Sequence, residues 1–135
     1  MNFVKAISIA ASGLIAQNSR IGVIAENIAN ADSLPTQPGA EPYRRKTINF
    51  KNVLDRVLGV DTVRVADVSV DRSDFGRRYD PAHPAADAEG FVLTPNVKMV
   101  VEMMDLREAQ RGYEANLRVI DVARTIVGRT IELLR

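Results

Sequence analysis

Residues 97–135, VKMVVEMMDLREAQRGYEANLRVIDVARTIVGRTIELLR, decide the fold. Leu106, Tyr113, Ile120, Val127 and Leu134 recur every seven residues, and Ala109, Asn116, Ala123 and Thr130 follow the first four of them by three. That is an a/d seam with small residues at d. Met103, Gln110, Leu117, Arg124 and Ile131 widen the stripe on its other side. A strict seven-residue repeat keeps one seam turned toward a partner helix over the whole length, as a coiled coil requires.

The other end of the chain answers it. Val4, Ile7, Ala11, Leu14, Asn18, Ile21, Ala25 and Ile28 step by three and four without a break. From Asn2 to about Asn30 the only charged residues are Lys5, Arg20 and Glu26. A helix so weakly charged around its circumference belongs inside a packed structure. At ~1.5 Å per residue it would reach roughly 40 Å, too long for one partner helix to cover on every side. Burial must come from further molecules, and copies of the chain are the obvious source.

With 135 residues the chain makes at most one modest domain. Eighteen basic and 17 acidic residues leave a net charge of +1, so no surface seeks polyanions and nucleic-acid binding has no electrostatic footprint. The absence of cysteine excludes disulfides, thiol chemistry and sulfur-ligated metals. No apolar run approaches the ~20 residues of a membrane span. Residues 6–16, AISIAASGLIA, could pass for a signal-peptide core. Only Lys5 precedes them as a basic region, and the heptad pattern continues past any cleavage point, so an uncleaved start is expected.

Between the two helices, Asn30-Ala31-Asp32-Ser33 ends the first, and residues 34–42, LPTQPGAEP, read as a turn or mobile loop. An extended stretch opens at Tyr43, with Ile48 and Phe50 on one face, and Asn52–Leu58 suggests a short helical turn. Val63, Val65, Val68 and Val70 read as a strand whose alternation slips at Ala66-Asp67, where a bulge would fit. Asp71–Gly76 is rich in turn residues, and prolines keep Tyr79–Gly90 irregular. Phe91-Val92-Leu93 reads as a second strand. The last helix starts near Thr94-Pro95-Asn96, with either Thr94 or Asn96 as its cap. Early Glu102 and Asp105, and late Arg124, Arg129 and Arg135, suit its dipole. Gly112 either admits close helix approach or is a tolerated defect. The expected fold is mainly α: long terminal helices pairing as a coiled-coil-like hairpin, with a small β-containing insertion between them. Residues 1–31 and 95–135 form the helical core, and 32–94 the extended middle.

Chemistry-bearing constellations are sparse. The single histidine, His83, stands among Asp80, Pro81, Pro84 and Asp87, where a turn-stabilising role outweighs a metal site. No phosphate loop, nucleophile elbow or paired zinc-ligand motif is present, so neither catalysis nor a cofactor is expected. Arg44-Arg45-Lys46 reads as a solvated edge or an ion-pair partner before it reads as a phosphate contact. Asn18 and Asn116 break the two seams; each either tolerates partial wetting or sets register at a cost in stability. Met99, Met103 and Met104 read as packing.

Residues 11–17, ASGLIAQ, followed by 23–31, VIAENIANA, resemble the amino-terminal signature of bacterial flagellar rod and hook proteins, and most of all their proximal-rod type. The signature includes Asn27, Ile28, Ala29 and Asn30. Tyr43-Arg44-Arg45 after Pro42, Tyr79-Asp80-Pro81-Ala82-His83-Pro84, Gly90-Phe91-Val92 and Pro95-Asn96-Val97 resemble that type's internal marks. Glu102-Met103 and Tyr113-Glu114-Ala115-Asn116 resemble its terminal helix. Glu26, Lys98 and Gly112 depart from the pattern. The resemblance implies a structural subunit of the periplasm-spanning rod, leaving through the flagellar type III export apparatus without a cleaved signal. It implies assembly through both terminal helices, torque transmission, and no small-molecule substrate. Implied partners are copies of itself, other proximal-rod proteins, the export-gate adaptor protein at the rod base and the distal rod. The assembly interface expected from the seams is Val4, Ile7, Ala11, Leu14, Asn18, Ile21, Ala25 and Ile28, with Met103, Leu106, Ala109, Tyr113, Asn116, Leu117, Ile120, Ala123, Val127, Ile131 and Leu134. The alternatives are a soluble coiled-coil adaptor dimerising through the same helices, an enzyme built on His83, or another axial protein of the same family.

Overall fold

The computed structural model describes residues 2–134. Its elements run α1 (Phe3–Ala29), β1 (Lys46–Asp55), β2 (Val60–Val70), β3 (Gly76–Tyr79), β4 (Phe91–Thr94) and α2 (Met99–Leu133). Helices thus form at both ends with a small β region between, as expected. The β share is larger than a mainly α reading allows, at 22% strand against 47% helix.

Local chemistry sets the helix ends. Asn2 Oδ1 accepts the Lys5 amide, so Asn2 caps α1. At the other end the Glu26 carbonyl accepts both the backbone and the side-chain amide of Asn30. α2 opens on Lys98, whose carbonyl accepts the Glu102 amide; neither Thr94 nor Asn96 is its cap. Asn96 is used elsewhere, because Arg45, Asp71 and Ser73 together offer its amide more hydrogen bonds than one helix end could. The late Arg135 lies outside the described residues.

β1 and β2 pair as a hairpin. Asn52–Leu58 is not a helical turn: β1 continues to Asp55, and only residues 56–59 turn. The Asp55 carboxylate accepts the amides of Val57 and Leu58, and Gly59, at φ +63°, closes the turn onto the Asp55 carbonyl. A single helical turn has no packing to sustain it, whereas extended backbone gains a ladder from β2, which starts three residues earlier than Val63. β3 and β4 are antiparallel, with Gly76 opposite Thr94 and Tyr79 opposite Phe91. β3 was not expected, since GRRY carries no apolar alternation and every residue of it is exposed. What holds it is the fully buried Val92 of β4 and the Tyr79 ring edge-on to Phe91 at 5.3 Å.

Two compact units emerge. The first comprises the chain up to Ile21, Ile48–Asp67, and the chain from Arg107 on; the second comprises Gly22–Thr47 and Val68–Leu106. Ala10, Ala16, Ala109, Ile120 and Ala123 form the apolar core of the first. Ile24, Ala85 and Val92 form that of the second, beside the buried polar residues Asn27 and Glu102.

Candidate assembly surfaces

In the second unit the basic run is a structural centre rather than a wet edge. Arg45 reaches Glu102 with Nε, Asp105 with Nη2 at 3.4 Å and Asp71 with Nη1 at 3.6 Å. Glu102 is wholly buried, so its carboxylate depends on this pairing. Asn27, 1% exposed, binds it from the other side: Nδ2 donates to Glu102 Oε2 at 3.1 Å and to the Lys46 carbonyl at 2.8 Å. Asn27 Oδ1 accepts from Tyr43 Oη and from the Lys46 amide, each at 2.8 Å. Asn96 ties the far side, accepting the Arg45 amide at 2.7 Å and donating to the Asp71 carbonyl at 3.0 Å. Lys46 pairs with Glu26 at 2.5 Å, and Arg44 lies 4.1 Å from the centre of the Phe75 ring.

Electrostatics follow from this packing. Burial lowers the Arg45 pKa, but the Glu102 hydrogen bond and the charges of Glu102, Asp105 and Asp71 outweigh it and leave it raised. Burial raises Tyr43, with Glu26 and Glu102 adding to the shift. Asp71 is held below its ordinary value by the Ser73 amide and hydroxyl, with Arg45 adding to that and burial opposing it. A lowered folded pKa means that ionised Asp71 stabilises the fold above about pH 4, and that this is lost as pH falls through the folded value. Asp71→Asn is therefore expected to flatten the acid loss. Urea midpoints taken at pH 6 and pH 3 should fall less in the variant than in the parent, and an equal fall would refute the assignment.

Several residues that carried the family resemblance thus meet in one network: Asn27, Tyr43, Arg44, Arg45 and Asn96. Sequence reasoning did not place Glu102 at its centre. The signal was there, because Glu102 stands seven before Ala109, a charge on the small-residue line of the seam. The other motif cluster is a turn. His83 Nδ1 accepts the Ala85 amide at 3.1 Å, and Asp80 donates its amide to the Gly90 carbonyl. Tyr79 and Pro81 abut Gly90 and leave no room for a Cβ, and its φ of +86° also favours glycine. Among the described residues no three His, Asp or Glu side chains converge as metal ligands.

In the first unit the helix segments lie side by side and run in opposite directions: Gly13 meets Asn116, Gln17 meets Gly112, and Arg20 pairs with Glu108 at 3.0 Å. On α2 the expected seam is the inward side here, with Ala109, Ile120 and Ala123 buried and Tyr113 and Asn116 half-buried. On α1 the inward stripe is Phe3, Ala6, Ala10, Gly13, Gln17 and Arg20, one residue before the expected Val4, Ile7, Ala11, Leu14, Asn18 and Ile21. Ala6, Ala10 and Gly13 let the backbones approach where the branched Ile7 and Leu14 would hold them apart. Val4 is 63% exposed and Asn18 is exposed, while Ile7, Ala11, Leu14 and Ile21 are half-buried. In the second unit Ala25 and Met103 are exposed, and Ile28 and Leu106 half-buried.

The first unit leaves a large apolar surface uncovered. Phe3 and Ala6 of α1 and Arg118, Val119, Val122, Ala123 and Ile126 of α2 line a groove of about 320 Å³. Leu117, Val127, Ile131, Leu133 and Leu134 are also exposed. Exposed apolar residues at this density on one helix mark an interaction surface. No helix among the described residues is long and apolar enough to cross a membrane.

Comparison with known proteins matches both ends of the chain to flagellar rod families. Residues 7–33 match the family described as flagella basal body rod protein, and residues 88–133 match the C-terminal family of flagellar basal body rod FlgEFG proteins. The chain is 52% identical to the flagellar basal-body rod protein FlgC of Agrobacterium fabrum, over 96% of this chain and 94% of that one. It is 38% identical to an Escherichia coli FlgC over 98% of each, and 34% identical to that of Bacillus subtilis over 94% and 95%.

Proposed function

The chain belongs to the flagellar basal-body rod proteins and is a structural, non-enzymatic subunit of that rod, and from this premise we propose how it is built in. It polymerises helically in the proximal rod, with residues 1–31 and 95–135 pairing as a coiled-coil-like core in the tube wall and 32–94 turned outward. The apolar face of α2 carries this reading, since the described residues of the first unit leave Val119, Val122 and Ile126 exposed. Neighbouring subunits cover it, along with Val4 and the half-buried Ile7, Leu14 and Ile21 of α1. Each Å² of apolar surface so removed from water contributes about 25 cal/mol. Torque then passes through many close contacts, and stiffness comes from packing density rather than any single bond.

The partners in this scheme are copies of the chain, other proximal-rod proteins, the export-gate adaptor protein at the base and the distal rod. The subunit reaches them across the periplasm through the flagellar export apparatus without a cleaved signal. Before assembly the helix ends lack their neighbours and are only partly formed, above all 127–133 of α2, beyond the groove that α2 shares with Phe3 and Ala6 of α1. Hydrogen exchange on the purified chain should find those amides least protected. Full protection there, or an intact basal body imaged with the Val122 face of α2 turned to water, would overturn the scheme.

A further inference from the structure

Two glycines and two amides face one another in the first unit. Gly13 and Gln17 are four apart on α1; Gly112 and Asn116 are four apart on α2. A Cβ on Gly13 would fall 2.7 Å from Asn116 Nδ2, and one on Gly112 would fall 3.1 Å from Gln17 Cδ. Each helix therefore fills the other's glycine with its own amide side chain. The halves are linked, because Asn116 Nδ2 donates to the carbonyl of Gly112, the same glycine that houses Gln17. Gln17 Oε1 is buried there without a hydrogen-bond partner.

We propose that these four residues are a reciprocal clasp that selects one alignment of the two helices over slid alternatives. Within the first unit the rest of the inward stripes do this less sharply; in the second, Asn27 of α1 already holds Glu102 of α2. Ala6, Ala10, Ala109 and Ala123 are alike in size and shape, so apolar packing changes little when one of them is exchanged for another across the helix pair. After a slide of one heptad Asn116 meets Arg20, and Gln17 meets Val119, and both amides lose their glycine recesses. Native alignment seats both. An acceptor left unpaired in the interior is unfavourable, so Gln17 is a poor choice for stability and a good one for excluding wrong pairings. The clasp also gives Gly112 a purpose, as the recess that Gln17 occupies. Its value rests on the rod reading above, since stacked subunits must all present their outer faces at the same height.

A mutant cycle on the purified full-length chain tests the clasp, and it stands or falls apart from motility. Alanine for glycine inside a helix ordinarily stabilises it. Here Gly112→Ala should lower the thermal midpoint of the parent chain and raise it in a Gln17→Ala background. The sign reversal is the expected result; stabilisation in both backgrounds overturns the proposal. A second readout follows alignment directly. The chain has no cysteine of its own, so Asn18→Cys with Glu114→Cys accepts a spin-label pair on exposed positions of the two helices. The parent should give one narrow distance. Gln17→Leu with Asn116→Leu, made together with Arg45→Met and Glu102→Leu so that the second unit's network no longer holds the alignment, should melt higher than that background yet add a second population displaced by about 10 Å, one heptad of helix rise. A single unshifted distance in that variant would also overturn the clasp.

Discussion

Glu102→Ala is expected to destabilise the chain by about 3–5 kcal/mol, the largest single-residue effect on the fold. Glu102 is fully buried, and removing its carboxylate leaves Arg45 with the more distant Asp105 and Asp71. It also strips Asn27 of one of its two acceptors, in a site from which water is shut out. Part of the Arg45 guanidinium stays wet, its side chain being 21% exposed, which favours the lower end of the range. Against a total stability of about 5–15 kcal/mol even that loss is a large fraction. Replacing both partners by apolar residues of similar volume, Arg45→Met with Glu102→Leu, should recover most of it, because no unpaired charge is then left inside. Urea unfolding followed by circular dichroism would measure each variant. A loss below about 1 kcal/mol for Glu102→Ala would mean that the network is incidental to the fold.

That network explains what the sequence could and could not convey. Arg44-Arg45-Lys46 is legible as charge, and an ion-pair role is its more economical reading, but partners 57 and 60 residues away do not register in any local window. Asn96 beside Pro95 looks like a helix cap because caps are local; its actual partners, Arg45, Asp71 and Ser73, are brought by the chain's return. The same limit hides β3, whose GRRY becomes a strand only because β4 lies opposite.

The helices teach a subtler lesson. Their existence is legible because periodicity is local, and the α2 seam is legible because its large and small positions alternate. On α1 the most apolar stripe is not the stripe that faces α2 in the first unit. Periodicity selects branched apolar side chains, whereas close approach around Ala6, Ala10 and Gly13 selects small ones, and here the two stripes are adjacent on the same helix. Gly13 and Gln17 look like interruptions in a hydrophobic pattern, yet they lie on the inward side. Val4 and Ile15, which look like core, are 63% and 68% exposed. A chain that folded only for itself would gain by reversing that arrangement. A subunit that stacks into a shaft has a use for both stripes, one toward its own second helix and one toward its neighbours.

From that division follows the prediction with the largest functional effect: Val122→Asp with Ile126→Asp should abolish rod assembly and swimming while leaving the free subunit folded. Both residues are exposed in the single chain, at 58% and 38%, and both line the groove with Phe3 and Ala6. In the free subunit their carboxylates stay hydrated, so the unfolding free energy should move by no more than about 0.5 kcal/mol per site. In the assembled wall each would have to give up water against an apolar neighbour, at a cost of several kcal/mol. Two such penalties per subunit, repeated along the shaft, weaken each contact by well over a hundredfold, since every 1.4 kcal/mol is tenfold. Ile120→Asp is a poorer probe. Ile120 is only 8% exposed in its own chain, so a carboxylate there would damage the helix pair before assembly was reached. Three measurements separate the outcomes in a bacterium whose own copy has been removed: spreading in soft agar, rods in purified basal bodies, and subunit in the culture medium. Loss of spreading and of rods, with the subunit still exported and its melting unchanged, is the expected pattern. Swimming at the parent rate would show that this face of α2 meets no neighbour.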